Sequence, residues 1–113
     1  MDWNTADDEC YKHNAHLASI HSDAATEFVG ELLDQKEDNQ VWIGAQREGK
    51  KFKWKDESVF DYENWNVGEP NHRDRMENCV ELYSFKLLWK TTPLKWNDVA
   101  CSDKNKYLCM KTK

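Results

Sequence analysis

Gly68-Glu69-Pro70-Asn71, then Glu77-Asn78-Cys79, then Trp96-Asn97-Asp98 are the segments on which the reading of this chain turns. Between Gly68 and Asp98 they gather three carboxylates (Glu69, Glu77, Asp98) and, besides Asn78, the two carboxamides Asn71 and Asn97, on stretches rich in turn formers. A donor set made only of oxygen suits a hard cation, and Ca²⁺ takes about six to eight such ligands. The acceptors Glu69 and Glu77 alternate with Asn71 and Asn97, which can also donate. That mixture is what a site needs to hold a metal and a vicinal diol together. The expectation is a calcium-dependent sugar site.

The chain has 113 residues, which fits a single domain over 1–113 with a modest core. It is 39% hydrophobic and 12% aromatic, with six Trp, a composition that argues for a packed globule and against disorder. The formal charge is −5, with acidic and basic residues interleaved, so the basic stripe that a phosphate backbone requires is missing and nucleic acid is excluded as a partner. No apolar run approaches the roughly 20 residues of a membrane span, and no signal-like apolar segment precedes the domain. Met1 before Asp2-Trp3 reads as an initiator set on a mature domain.

Cysteines stand at 10, 79, 101 and 109, with no Cys-x-x-Cys pair to suggest structural zinc. Four cysteines allow three pairings, and spacing does not choose among them. Two disulfides imply an oxidising, extracellular setting; buried thiols in a cytosolic protein are the bland alternative.

The first third reads as helical. Asn4-Thr5 caps a helix with Ala6, Cys10 and Tyr11 on its face and Asp7, Asp8 and Glu9 in its first turn, where the dipole favours them. Leu17, Ala18 and Ile20 form an apolar bridge. Ser22-Asp23 starts a second helix with Ala25, Phe28, Val29, Leu32 and Leu33 on one stripe, interrupted by Gly30, and Asp38-Asn39 closes this half. Val41 to Gly44 reads as a buried strand, and Phe52 and Trp54 alternate with lysines as a half-exposed one. Residues 55 to 76 lose periodicity and read as a long ordered loop. Cys79 to Tyr83 and Tyr107 to Met110 supply the remaining strands.

Trp42-Ile43-Gly44, Glu69-Pro70-Asn71, Glu77-Asn78-Cys79-Val80-Glu81-Leu82, Trp96-Asn97-Asp98 and Tyr107-Leu108-Cys109 together resemble the C-type lectin-like domain, in order and with suitable gaps, from about Trp3 to Lys111. The resemblance implies an α+β fold of two helices, two small antiparallel sheets and a long calcium-binding loop. It pairs Cys10 with Cys109 and Cys79 with Cys101. It makes Glu69, Asn71, Glu77, Asn97 and Asp98 the ligands of one principal Ca²⁺, with Pro70 in a cis bond. Glu69, Asn71, Glu77 and Asn97 also reach the sugar: the carboxylates keep a lone pair for a hydroxyl proton, and the amides keep an NH₂ to donate. In the family the order Glu-Pro-Asn accompanies equatorial vicinal hydroxyls, as in mannose, glucose, N-acetylglucosamine and, through an equivalent pair, fucose. Affinity for a single sugar is expected near millimolar, about 4 kcal/mol, so avidity would come from clustering, for instance in a homo-oligomer.

Three departures from the family pattern qualify this. Arg47 and His72 stand where some lectins place acidic residues for a neighbouring calcium, so one ion is expected, not two. The family's opening strand is missing from the match, which leaves an edge near Tyr107 to Met110 exposed. The insert 83–95 is long and apolar, with Phe85, Leu87, Leu88 and Trp89 expected in the core or, failing that, in a contact patch.

Other residues carry plainer readings. The Trp residues at 42, 54, 65 and 96 read as packing. His13, His16 and His21 have no metal spacing, and Glu81 reads as a sheet or surface carboxylate. Glu69, Glu77 and Asp98 could form an acid/base set for glycoside hydrolysis, but clustered acids with amide partners favour metal, and no nucleophile elbow is present. The chain therefore reads as a secreted carbohydrate-binding module and not an enzyme. A member of the same fold that binds protein or another non-sugar ligand is the alternative.

Overall fold

The computed structural model describes residues 1–33, 37–70, 77–86 and 92–111. Asn71 and His72, and Leu87, Leu88 and Trp89 of the apolar insert, lie outside the described residues.

Helix α1 spans Trp3–Tyr11 and is capped by Asp2, just ahead of the expected Asn4-Thr5, because the Asp2 carboxylate accepts from the Thr5 N–H at 2.8 Å. Asp7, Asp8 and Glu9 therefore fall outside the first turn. Asp7 is buried and its Oδ1 accepts instead from the Leu17 N–H at 3.2 Å, tying the helix to β1 (His16–Leu17). Tyr11, expected on the buried face, is 69% exposed; Trp3 takes that place and donates from its indole N–H to Ile43 O at 2.8 Å. Helix α2 spans Asp23–Leu32 and starts as expected: Ser22 Oγ accepts from Ala25 N–H at 3.0 Å. Its stripe is narrower than expected. Val29 is buried, while Phe28 and Leu32 are exposed.

The main sheet is built on β2 (Asn39–Glu48), so Asn39 opens a strand and does not close the helical half. A two-residue turn with Gly49 at φ +65° leads to β3 (Lys51–Trp54), the register running from Ala45↔Trp54 to Glu48↔Lys51. On its other edge β2 pairs antiparallel with β4 (Cys79–Ser84), which pairs with β5 (Lys95–Val99). The sheet order is β3-β2-β4-β5, with β6 (Lys106–Tyr107) parallel to β2. The expected terminal strand is thus divided. Leu108 breaks it, its O accepting from Ala18 N–H at 2.9 Å, and β7 (Cys109–Met110) pairs antiparallel with β1 in a second sheet. Tyr107 and Met110 are exposed.

Gly44 shows why the strand carries a glycine at that point. Its N–H donates to Ala18 O at 2.8 Å, and a Cβ there would sit 2.6 Å from Leu17 O. Backbone packs on backbone with no room for a side chain.

Trp96 is fully buried and is the hub of the aromatic core, with edge-on contacts to Trp54 at 5.5 Å and Trp65 at 5.3 Å between centroids. Trp42 and Trp54 are buried as well, and Trp65 is partly buried, as the packing reading expects. Phe85 is 46% exposed, against its expected place in the core: it lies just past β4, stacked edge-on against Tyr83 rather than under the sheet. Two disulfides close the fold, Cys10–Cys109 across 99 residues and Cys79–Cys101 across 22. Among the described residues no helix is long and apolar enough to cross a membrane.

Candidate functional site

Strand β5 carries the Trp-Asn-Asp segment, and its pleat sends neighbouring side chains to opposite faces. Trp96 points into the core. Asn97 lies on the outer face, opposite Glu81 of β4 in register, and its Nδ2 donates to Glu81 Oε2 at 3.2 Å. Asp98 turns inward, is fully buried, and pairs with Arg47 Nη2 at 3.1 Å. The Cys79–Cys101 bridge brackets this region, joining the start of β4, just after Glu77-Asn78, to the chain just after β5.

The loop that ends in Glu69 is stitched onto β5. Trp96 N–H donates to Asn64 O at 2.9 Å and Asn66 N–H donates back to Trp96 O at 3.0 Å. The Asn64 side chain bridges Leu94 O and Lys95 Nζ, each at 3.0 Å. Asn66 Nδ2 donates to the Tyr83 hydroxyl, and Asn66 O accepts from Glu69 N–H at 2.9 Å. Gly68, at φ +86°, makes the turn before Glu69, and the Glu69-Pro70 bond is cis, as the resemblance implies. Glu69 lies close enough to Tyr83 for its negative charge to act there: burial first, then Glu69, pushes the phenol above its ordinary value.

Glu81 is a sheet carboxylate, one of the two places expected for it, and a buried one. It is 3% exposed, and its Oε1 accepts from Asn105 Nδ2 at 3.1 Å while Oε2 accepts from Asn97. Burial raises its pKa, and the two amides offset part of that rise. A buried acceptor facing both nitrogens fixes which way the Asn97 amide is turned, with the NH₂ toward Glu81. Sequence reasoning missed Asn64, Asn66 and Asn105 as well. Alternation of Asn with the core residue Trp65 was the available signal for the first two.

The donor chemistry of Glu69, Glu77, Asn97 and Asp98 fits a hard cation, being oxygen only and part anionic. Asn71, the remaining expected ligand, lies outside the described residues. Among the described residues no group of three or more His, Cys, Asp or Glu comes together as a metal cluster. The structure instead shows the Asn97 and Asp98 side chains on opposite faces of β5, each with a partner behind it.

A second constellation has the outline of a catalytic triad. His21 Nε2 lies 3.1 Å from Ser58 Oγ and Nδ1 lies 2.8 Å from Asp61 Oδ1. The Ser58 hydroxyl, however, donates to Asp56 Oδ1, so its proton points away from the imidazole and no nucleophile is set up. The network is structural. It fastens the loop after β3 to the segment before α2, with Ser19 Oγ also donating to Asp56 at 2.6 Å. His13 is exposed, and His16 lies 3.5 Å from Asp7.

Comparison with known proteins agrees with this architecture. The family model described as lectin C-type domain matches residues 1–111. A relative from Notechis scutatus scutatus, named as a mannose-binding isoform of C-type lectin, is 38% identical over 95% of this chain and 68% of its own length. Among solved structures, the EPNH mutant of CEL-I, a C-type lectin from Cucumaria echinata, superposes with a TM-score of 0.82 at 27% identity, covering 96% of this chain and 81% of that one. A calcium-independent type II antifreeze protein superposes at 0.78 with 24% identity, over 96% and 77% of the two chains, a likeness of fold alone. With its paired disulfides, its Trp-centred core and a match over nearly its whole length, the chain belongs to the C-type lectin domain family.

Proposed function

We propose that the chain is a calcium-dependent carbohydrate-binding domain for mannose-type sugars, acting extracellularly as one lectin domain over 1–113. The observation that carries the reading is the full oxygen-donor set, Glu69, Asn71, Glu77, Asn97 and Asp98, retained within a lectin-domain chain. Support comes from the relative named as mannose-binding; the solved EPNH mutant of CEL-I is named for the same letters that stand at residues 69 to 72 here. Calcium, when bound, supplies coordination positions to two vicinal hydroxyls. The residues do the rest: Glu69 and Glu77 accept hydrogen bonds from the hydroxyls, and Asn71 and Asn97 donate through their amides. Glu81 already takes one N–H of Asn97, so the second N–H is the one available to a sugar.

The test is retention on mannose resin with calcium and with chelator. Retention in calcium and release by chelator are expected. Retention that ignores the chelator, or none in either buffer, sinks the proposal. Acidification from pH 7 to about 4 is also expected to release the sugar, because a protonated carboxylate does not hold Ca²⁺. A glycan array with and without calcium would then set the preference among equatorial diols.

A second reading, binding of a protein or other non-sugar ligand, draws on one observation: the Asp98 carboxylate is engaged by Arg47. Chelator-insensitive binding to a non-glycan partner would favour it.

A further inference from the structure

Arg47 touches two of the three segments that carry candidate donors. Its backbone N–H donates to Asn78 O at 2.7 Å, next to Glu77, and its Nη2 meets Asp98 Oδ2 at 3.1 Å. The Arg47 side chain is 12% exposed and the Asp98 side chain 0% exposed. The guanidinium carbon also lies 4.5 Å from the centroid of Phe52, its register partner on β3, so the guanidinium sits between carboxylate and ring while the main chain is tied to Asn78.

A carboxylate taken wholly out of water is costly unless a cation or donors compensate it, and removing a buried partner costs more than never having had the pair. Arg47 compensates Asp98 directly, at 3.1 Å. A divalent ion arriving at the same carboxylate would meet a positive charge already in place. Burial strengthens that repulsion as much as it strengthens the attraction.

We infer that Arg47 is the standing counter-ion of Asp98, keeping the site ordered in the absence of calcium and competing with calcium for the same carboxylate. The inference rests on the calcium-dependent reading for its second half; the first half stands on the ion pair alone. It makes Arg47 a positioning residue that sets the calcium concentration at which the domain engages sugar. It also gives the protein a calcium-free state in which Asp98 and the Glu77-Asn78 segment are already held near their working places.

The experiment measures melting temperature for wild type, Arg47→Gln, Arg47→Lys, Asp98→Asn and the Arg47→Gln/Asp98→Asn double variant, in excess chelator and across a calcium titration. In chelator, Arg47→Gln is expected to melt below wild type. The double variant is expected to lose less than the sum of the single losses, because both single changes remove the same ion pair. In calcium, the midpoint of Arg47→Gln is expected at roughly three- to tenfold lower concentration than wild type, with a larger melting shift at saturation. Arg47→Lys keeps the charge without the fork and is expected between the two; it carries the midpoint comparison should Arg47→Gln fail to fold.

An unchanged or weaker calcium midpoint in the Arg47 variants overturns competition and leaves Arg47 as packing. Additive losses in chelator overturn the counter-ion role. If wild type takes up no calcium, the calcium reading and the competition fall together, while the chelator cycle still decides the coupling of Arg47 to Asp98.

Discussion

At the scale of single residues, Gly44 and Glu81 show how much depends on one group. Gly44→Ala would push a methyl to within 2.6 Å of Leu17 O, a backbone atom that neighbouring hydrogen bonds hold in place. The substitution is expected to cost about 1–3 kcal/mol, read by urea denaturation, although Ala has the better strand propensity. The glycine of Trp42-Ile43-Gly44 is easy to see in the sequence; the carbonyl that demands it, 27 positions earlier at Leu17, is not. Glu81 is the converse case, a residue whose type is plain and whose burial is hidden. Truncation by Glu81→Ala leaves the Asn97 and Asn105 amides without their acceptor and lets the Asn97 side chain turn. Calcium-dependent retention on mannose is expected to weaken by about 1–3 kcal/mol equivalent, with Glu81→Gln, which keeps one acceptor, falling between. Equal retention in all three proteins would remove Glu81 from the site.

At the scale of elements, the parts of the chain with local signals were legible and the parts fixed at a distance were not. Ser22 announces α2 because its hydroxyl caps within the same turn. The start of α1 was misplaced because three polar residues compete there, and burial of Trp3 decides for Asp2. Strand β5 escaped notice altogether: Lys95 to Val99 alternates partly buried and buried positions, but its inward positions are a Trp and an Asp, which no apolar pattern flags. The candidate donors could be named from the sequence through the family resemblance, whereas the pairing of Arg47 with Asp98, 51 residues away, is visible only in the folded chain. The loop after β3 gives a prediction at this scale. Burial works to raise the Asp56 pKa, but hydrogen bonds from Ser19 and Ser58 outweigh it and leave the group below its ordinary value of 3.8; a hydrogen bond from His21 lowers Asp61 likewise. A depressed carboxylate stabilises the folded state fully above its unfolded value and ceases to as pH falls through the folded one. Thermal melts followed by tryptophan fluorescence should therefore show Asp56→Asn less stable than wild type at neutral pH and losing less stability below about pH 3.8, the remaining loss being carried by other lowered carboxylates such as Asp61. Parallel curves for the two proteins would exclude this anchor.

At the scale of the whole molecule, the disulfides divide two tasks between them. Cys10–Cys109 ties α1 to β7 and closes 99 residues, while Cys79–Cys101 closes 22 and brackets β4 and β5. In the chain-entropy view the longer loop contributes more, up to ~4.7 kcal/mol against about 3 for the shorter. Both bridges have a fully buried sulfur-bearing residue, Cys10 in one and Cys79 in the other, so Ala replacements leave similar small voids and the comparison is fair. Stability and binding should then separate. Cys10→Ala/Cys109→Ala is expected to lose more in urea denaturation but to keep calcium-dependent mannose retention at temperatures where it remains folded. Cys79→Ala/Cys101→Ala is expected to lose less stability and more retention, because the bridge holds Glu77-Asn78 and Asn97-Asp98 to one another across the sheet. The two measurements rank the variants in opposite orders if the shorter bridge shapes the site. The same order in both would mean that each disulfide acts only through global stability, and that the placement of the donors owes nothing to the bond beside them.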